Sequence, residues 1–248
     1  MKKYIKLVVL ILSLLIVFST YKSLNKKTNK IRYIALGDSI AEGMNSYNVV
    51  DYGYTDYIKD YLDKNERLEF YTKSFSKSGY TTRDLINDIE NNKVITVDNK
   101  RVYLKEALRE SDLVTLTIGA NDFLKSINLN YIEELIKDIP KAKKEIDDVG
   151  HEIEELIILI KKYAKEEIIV TGYYNPFPSI TRYKNELDNL IKYFNNIIED
   201  ICDEYDVSYV DIFDIFDGNT DILPNPFNIH PSKQGYEKIA KEIVKIIE

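Results

Sequence analysis

The chain is poor in the residues that hold metals, disulfides and nucleotides. It has one cysteine, two histidines and no tryptophan in 248 residues. A lone cysteine, Cys202, excludes an internal disulfide, and its place in an amphipathic helical pattern far from the N-terminus excludes a lipoprotein attachment site; it reads as a buried structural thiol. His151 and His230 are too far apart in sequence, with too few thiols, for any zinc-ligand spacing, so no metal is expected. No Gly-x-x-x-x-Gly-Lys-Ser/Thr loop and no Gly-x-Gly-x-x-Gly after a strand is present, so no nucleotide cofactor is expected either. Repeats and low-complexity segments are absent too.

Basic charge is scarce where a folded domain would lie. The first 30 residues hold seven lysines and no acids, which leaves 27 basic against 41 acidic residues in the remainder, a formal charge of −14. Such a domain repels nucleic acid and anionic surfaces. The uncharged run Leu7 to Tyr21 follows Lys2, Lys3 and Lys6, the layout of a secretory signal. Without a convincing small-x-small cleavage site near Ser19 to Ser23, residues 4–21 read as an uncleaved anchor with snorkelling lysines. Lys22, Lys26, Lys27 and Lys30 blunt the orientation signal, and export is the favoured reading. The expected organisation is an anchor and linker over residues 1–30 and one domain over 31–248. The domain would be extracytoplasmic and membrane-anchored, or secreted if the segment is cleaved.

What is plentiful is apolar patterning, 44% of the chain, enough for one sizeable core. Strands are predicted at Tyr33–Leu36, Phe70–Phe75, Leu113–Ile118, Ile168–Thr171 and Val207–Ile212. Helical patterns separate them at Tyr54–Leu62, Thr82–Asn91, Leu104–Glu110, Lys184–Tyr205 and Ser232–Ile247. The stretch Tyr131–Tyr163 reads as one long helix or two abutting ones, interrupted by Pro140 and Gly150, with His151 on its solvated face. Residues Lys93 to Val102 resemble an inserted hairpin around Asp98-Asn99-Lys100. Alternating strands and helices imply an α/β fold, a three-layer α/β/α sandwich on a mostly parallel five-stranded sheet.

Chemistry concentrates at the ends of these strands. Leu36-Gly37-Asp38-Ser39 places a serine just past the first strand, where open α/β sheets carry their sites. A serine hydroxyl needs a base within reach, and His230 in Asn228-Ile229-His230-Pro231-Ser232 is the well-placed histidine. Gly119-Ala120-Asn121-Asp122 follows the third strand and offers an amide donor. Asp38 suits an Asx-type turn contact, and Asp122 suits a loop tether. Gly172-Tyr173-Tyr174-Asn175-Pro176-Phe177-Pro178 would form either a stiff apolar wall near the site or a packed cover over the sheet.

These segments together resemble the SGNH (GDSL-type) hydrolase family over roughly residues 31–248. The resemblance implies the flavodoxin-like fold of that family and carries its four named residues onto Ser39, Gly79, Asn121 and His230. It implies a serine esterase in which the backbone N–H groups of Ser39 and Gly79 and the Asn121 amide form an oxyanion hole. Lipid, glycan and other small ester substrates all fall within the family's range. The family pattern has an aspartate three residues before the histidine, where this chain has Phe227. That leaves a Ser39–His230 dyad, with Asn228, Asp217, Asp221 or a backbone carbonyl as candidate partners for the imidazole. The competing reading is a membrane-tethered, non-catalytic binding protein on a hydrolase scaffold.

Overall fold

The computed structural model describes residues 30–126, 132–177, 180–226 and 228–248. The expected anchor at residues 4–21, Phe227 and Pro178 lie outside the described residues. No helix among the described residues is long and apolar enough to cross a membrane.

Five strands form one parallel sheet: β1 (Ile31–Gly37), β2 (Leu68–Thr72), β5 (Leu113–Thr117), β6 (Glu167–Thr171) and β7 (Ser208–Val210), in the order β2-β1-β5-β6-β7. Two further strands, β3 (Val94–Val97) and β4 (Lys100–Tyr103), pair as the expected hairpin. Its turn places both Asp98 and Asn99 at positive φ, the type I′ geometry that suits the twist of a two-residue hairpin.

Alternation along the strands builds the three layers. Ile34 and Leu36 of β1, Val114 and Leu116 of β5, and Ile168 and Val170 of β6 face one side. There they pack under α3 (Thr82–Glu90), α4 (Leu104–Arg109), α7 (Ile139–Tyr163) and α8 (Lys184–Glu204). Tyr33, Ala35, Leu113 and Ile169 face the other, beneath α1 (Ser39–Glu42), α2 (Tyr54–Lys64), α9 (Phe213–Phe216) and α10 (Lys233–Ile247). This second layer carries polar atoms that satisfy one another. Tyr33 bonds Thr115 at 2.8 Å, Tyr54 bonds Thr117 at 2.9 Å, and Thr117 bonds Thr171 at 2.7 Å. Tyrosine can fill such a core because each hydroxyl finds a partner.

Two expectations about helices need correction. The 131–163 region forms two abutting helices, one of the two expected forms, but the break falls at Asp138, the N-cap of α7, whose side chain accepts from Lys141 N at 3.1 Å; α6 (Ile132–Lys137) precedes it. Pro140 sits in the first turn of α7, where a missing N–H costs nothing. Gly150 does not interrupt the helix. A Cβ there would lie 2.6 Å from Ile197 Cγ2 of α8, so the residue serves a close helix–helix approach. The Gly119–Asp122 segment, in turn, opens a helix absent from the sequence reading, α5 (Ala120–Ser126).

His151 is exposed, 3.8 Å from Glu154, as a solvated helix position should be. Cys202 is buried and free, and burial pushes its thiol up to about 12, which makes it inert.

Candidate active site

The sheet order places the site. From β1 the chain crosses to β2 on one side, and from β5 it proceeds through β6 to β7 on the other, so the strand order switches between β1 and β5. Crevices open at such switch points, beyond the carboxyl ends of the strands. Ser39 follows β1 and Asn121 follows β5.

Gly37 makes the approach possible. At φ +141° a Cβ would stand 2.1 Å from Thr117 O, and the next residue donates Asp38 N–H to that same oxygen at 3.0 Å. Asp38 then caps α1, its Oδ1 accepting from Ile40 N at 2.9 Å, the Asx role expected of it. Ser39 is the first residue of that helix, where the N–H has no partner within the helix.

His230 meets Ser39 across 191 residues of sequence, with Nε2 2.8 Å from Oγ. On the far side of the ring, Nδ1 lies 2.6 Å from Asn228 Oδ1, which also accepts the His230 backbone N–H at 3.0 Å. An oxygen that receives a backbone N–H faces the ring as an acceptor, so Nδ1 carries the proton and Nε2 offers its lone pair to the serine hydroxyl. Of the partners left open by the sequence, Asn228 is the one on the ring. Asp217 pairs instead with Lys184 at 2.8 Å, which holds its carboxyl below the usual range; the backbone oxygen of Asp221 accepts the Ser232 hydroxyl at 3.4 Å. Burial alone pulls the His230 imidazole down to about 4.

The Gly79 loop is held from several sides. Glu42 accepts both the backbone N–H of Ser78, at 2.7 Å, and its hydroxyl. Asn121 Nδ2 donates one of its two protons to Tyr80 O at 2.9 Å, Lys125 donates to Gly79 O at 3.3 Å, and Lys77 N–H bonds Gly37 O at 3.1 Å. Gly79 itself has φ +81° and open space where a Cβ would stand, so glycine there serves backbone conformation. Asp122 fulfils the tether role: both carboxylate oxygens accept the N–H of Thr82, at 3.0 Å each, at the start of α3. Sequence reading missed Glu42, and although it named Tyr174 as part of an apolar wall it missed that residue's second role, a hydroxyl that donates to Ile229 O at 2.7 Å beside the histidine. Neither carries a local motif, because each acts on a segment distant in sequence.

Next to these polar groups lies an apolar cavity of about 110 Å³. Ile40, Ala120 and Ile229 form its near side, each adjacent in sequence to Ser39, Asn121 or His230. Tyr173, Tyr174, Pro176 and Phe177 contribute the wall expected from the aromatic and proline-rich segment. Among the described residues, no group of three or more His, Cys, Asp and Glu side chains could hold a metal ion.

Comparison with known proteins gives the family and the fold. The model of the GDSL-like Lipase/Acylhydrolase family matches residues 35–238, and the chain belongs to that family, which makes it a carboxylic ester hydrolase. The spore germination lipase LipC of Bacillus licheniformis is 24% identical over 218 residues, covering 86% of this chain and 94% of that one. In fold, the chain is similar to the lipase Lip_vut3 from a goat rumen metagenome. That structure has a TM-score of 0.66 and 21% identity, over 86% of this chain and 95% of that one. It is also similar to Axe2, an acetylxylan esterase from Geobacillus stearothermophilus, with a TM-score of 0.57 and 20% identity over 87% and 93% of the two chains.

Asp38 generates a stability prediction. Burial, helped by the charge of Asp122, raises its carboxyl from 3.8 to about 7. The folded state therefore holds a proton that the unfolded chain releases, and stability falls as pH rises from about 4 to about 7, then levels. Asp38→Asn keeps an acceptor for Ile40 N–H and removes the buried charge. Its melting temperature is expected to match the wild type near pH 4 and to exceed it increasingly up to pH 7; a pH-independent difference would contradict the assignment.

Proposed function

We propose that this protein is a serine esterase in which Ser39 is the nucleophile, His230 its general base, and Asn228 the acceptor that orients the imidazole. The hydrogen-bonded chain Ser39 Oγ, His230 Nε2, His230 Nδ1, Asn228 Oδ1 carries this reading. As the serine oxygen attacks an ester carbonyl, its proton passes to Nε2; the imidazolium then returns that proton to the leaving alcohol, and water repeats the cycle on the acyl-enzyme. Negative charge that develops on the carbonyl oxygen is received by the N–H groups of Ser39 and Gly79 and by the second proton of Asn121 Nδ2. Each such donor is typically worth about 3 kcal/mol in the transition state.

The substrate we assign is an ester with an aliphatic acyl chain. The support is the apolar cavity whose near side is built from the immediate neighbours of Ser39, Asn121 and His230. Each methylene buried there contributes about 0.8 kcal/mol, roughly fourfold in kcat/KM. Hydrolysis of nitrophenyl esters is expected to favour chains longer than acetyl. Ser39→Ala and His230→Ala should each lose at least about a thousandfold in kcat. Leu124→Trp, which fills the cavity, should depress the longer esters while sparing acetyl. Turnover that survives Ser39→Ala would instead favour a binding scaffold with adventitious activity.

Asn228 sets the pH behaviour. A neutral partner adds no charge to favour the imidazolium, so the acid limb of kcat/KM is expected well below 6. Asn228→Asp places a carboxylate on Nδ1, favours the charged ring and moves that limb to higher pH. Asn228→Ala should lower kcat about tenfold or more through loss of orientation. An unmoved limb in Asn228→Asp, together with full activity in Asn228→Ala, would remove Asn228 from the mechanism.

Residues 4–21 are proposed to tether the domain to a membrane with the catalytic domain outside, on the strength of the uncharged run between lysine clusters. Carbonate-resistant membrane association that is lost on deletion of residues 1–30 is the expected result; association unaffected by that deletion would contradict it.

A further inference from the structure

Between α1 and α2 the chain makes a short strap closed by an antiparallel bridge between Met44 and Val50. The Asn45 side chain organises it, with Oδ1 accepting from Tyr47 N at 2.9 Å and from Val49 N at 3.2 Å. Asn48 N–H bonds Asn45 O at 3.0 Å, and Asn48 stands at the turn with φ +59°, a left-handed conformation that asparagine tolerates better than most residues. The strap is pinned to the rest of the domain by Asn225 Nδ2, which donates to Ser46 O at 3.0 Å, and by the Tyr236 hydroxyl, which donates to Met44 O. At its turn Asn48 faces inward, where its Oδ1 accepts from Asn228 Nδ2 at 2.8 Å.

We propose that Asn48 is a positioning residue that holds the Asn228 amide with its oxygen toward His230. This rests on the reading of His230 as the base. An asparagine in place of a carboxylate brings a hazard that a carboxylate lacks, because its two ends differ. If the Asn228 amide turned over, its NH₂ would face the ring. The imidazole would then take the other tautomer, with Nδ1 as acceptor and a proton on Nε2 pointing at Ser39. In that state the base has no lone pair for the serine. The His230 backbone N–H opposes the turnover at one end of the amide, and Asn48 opposes it at the other by occupying Nδ2 with an acceptor. The same contact draws electron density toward Asn228 Oδ1, since an amide that donates a hydrogen bond through its nitrogen becomes a better acceptor at its oxygen.

The substitutions that test this follow from the geometry. Asn48→Gly removes the side chain at a φ that glycine adopts without strain. Asn48→Asp keeps an acceptor at the same place and cannot turn over to present a donor. Asn228→Asp has two equivalent oxygens, so turnover has no meaning there. In the full chain, with a soluble ester substrate, Asn48→Gly is expected to lower kcat about threefold to tenfold with KM unchanged, the loss of one positioning hydrogen bond. Asn48→Asp should retain kcat within about twofold, and its carboxylate should move the acid limb of kcat/KM to higher pH. Introduced into Asn228→Asp, the Asn48→Gly change should cost less than about twofold, a non-additivity that identifies the coupling.

A strap that merely stabilises the fold would lower activity equally in both backgrounds, and that outcome overturns the proposal. Wild-type kcat in Asn48→Gly overturns it as well. Should Asn48→Gly not fold, the Asn48→Asp arm decides: retained kcat with a raised acid limb supports the proposal, and a loss in kcat overturns it. Ser39→Ala run in parallel separates the two levels, because turnover independent of Ser39 removes the esterase mechanism itself, whatever Asn48 does.

Discussion

The 2.8 Å contact between Ser39 Oγ and His230 Nε2 is the constraint around which the domain is arranged. Its two partners enter from opposite ends of the folded chain, one at the first strand and one before the last helix. Holding them in register requires β1 and β5 to approach as closely as Gly37 allows, and α10 to pack its Tyr236, Ile239 and Ile243 under the sheet face that carries α1. Tyr174 braces the histidine segment through Ile229 O, and Ser232 caps the helix that follows, accepting from Gly235 N at 3.3 Å. The core is therefore more than a source of stability. It fixes the distance between a nucleophile and a base that have no local reason to meet.

A second theme is charge management by neutral groups. The site lies in an acidic domain, yet the group on the imidazole Nδ1 is an amide, Asn228. Asn228 accepts the ring proton without charge, and burial keeps the imidazole neutral to about pH 4. The carboxylates near the site serve backbone geometry. Asp38 caps α1, Asp122 caps α3 from outside it, and Glu42 grips Ser78. Such a base is available over a wide pH range, and it relies on orientation for what a charged partner would supply by attraction. Orientation of an asymmetric amide in turn needs support, which makes the strap around Asn48 part of the same design.

Much of this was legible in the chain. Short, nearly continuous apolar runs mark the central strands, because both sheet faces are buried, and helical spacing marks their crossovers. Ser39, Asn121 and His230 were legible because each stands at a strand end or a helix start with a characteristic neighbourhood. The partner of His230 was ambiguous, since Asn228, Asp217 and Asp221 are all within reach along the chain and only tertiary packing sends Asp217 to Lys184. Gly150 misled for a related reason. A glycine that permits two helices to touch cannot be told from one that ends a helix until the neighbour, Ile197, is in place. The roles of Asn48 and Glu42, and the bond from Tyr174 to Ile229 O, left no trace, as each acts on a segment far away in sequence.

The most direct test of the central claim is labelling with a serine-directed fluorophosphonate, followed by peptide mass mapping. Attack on phosphorus needs the same activated hydroxyl as attack on an ester, and it needs no knowledge of the natural substrate. The account predicts one adduct, on Ser39, that disappears in His230→Ala. Labelling that persists without His230, or an adduct on another residue, would contradict it.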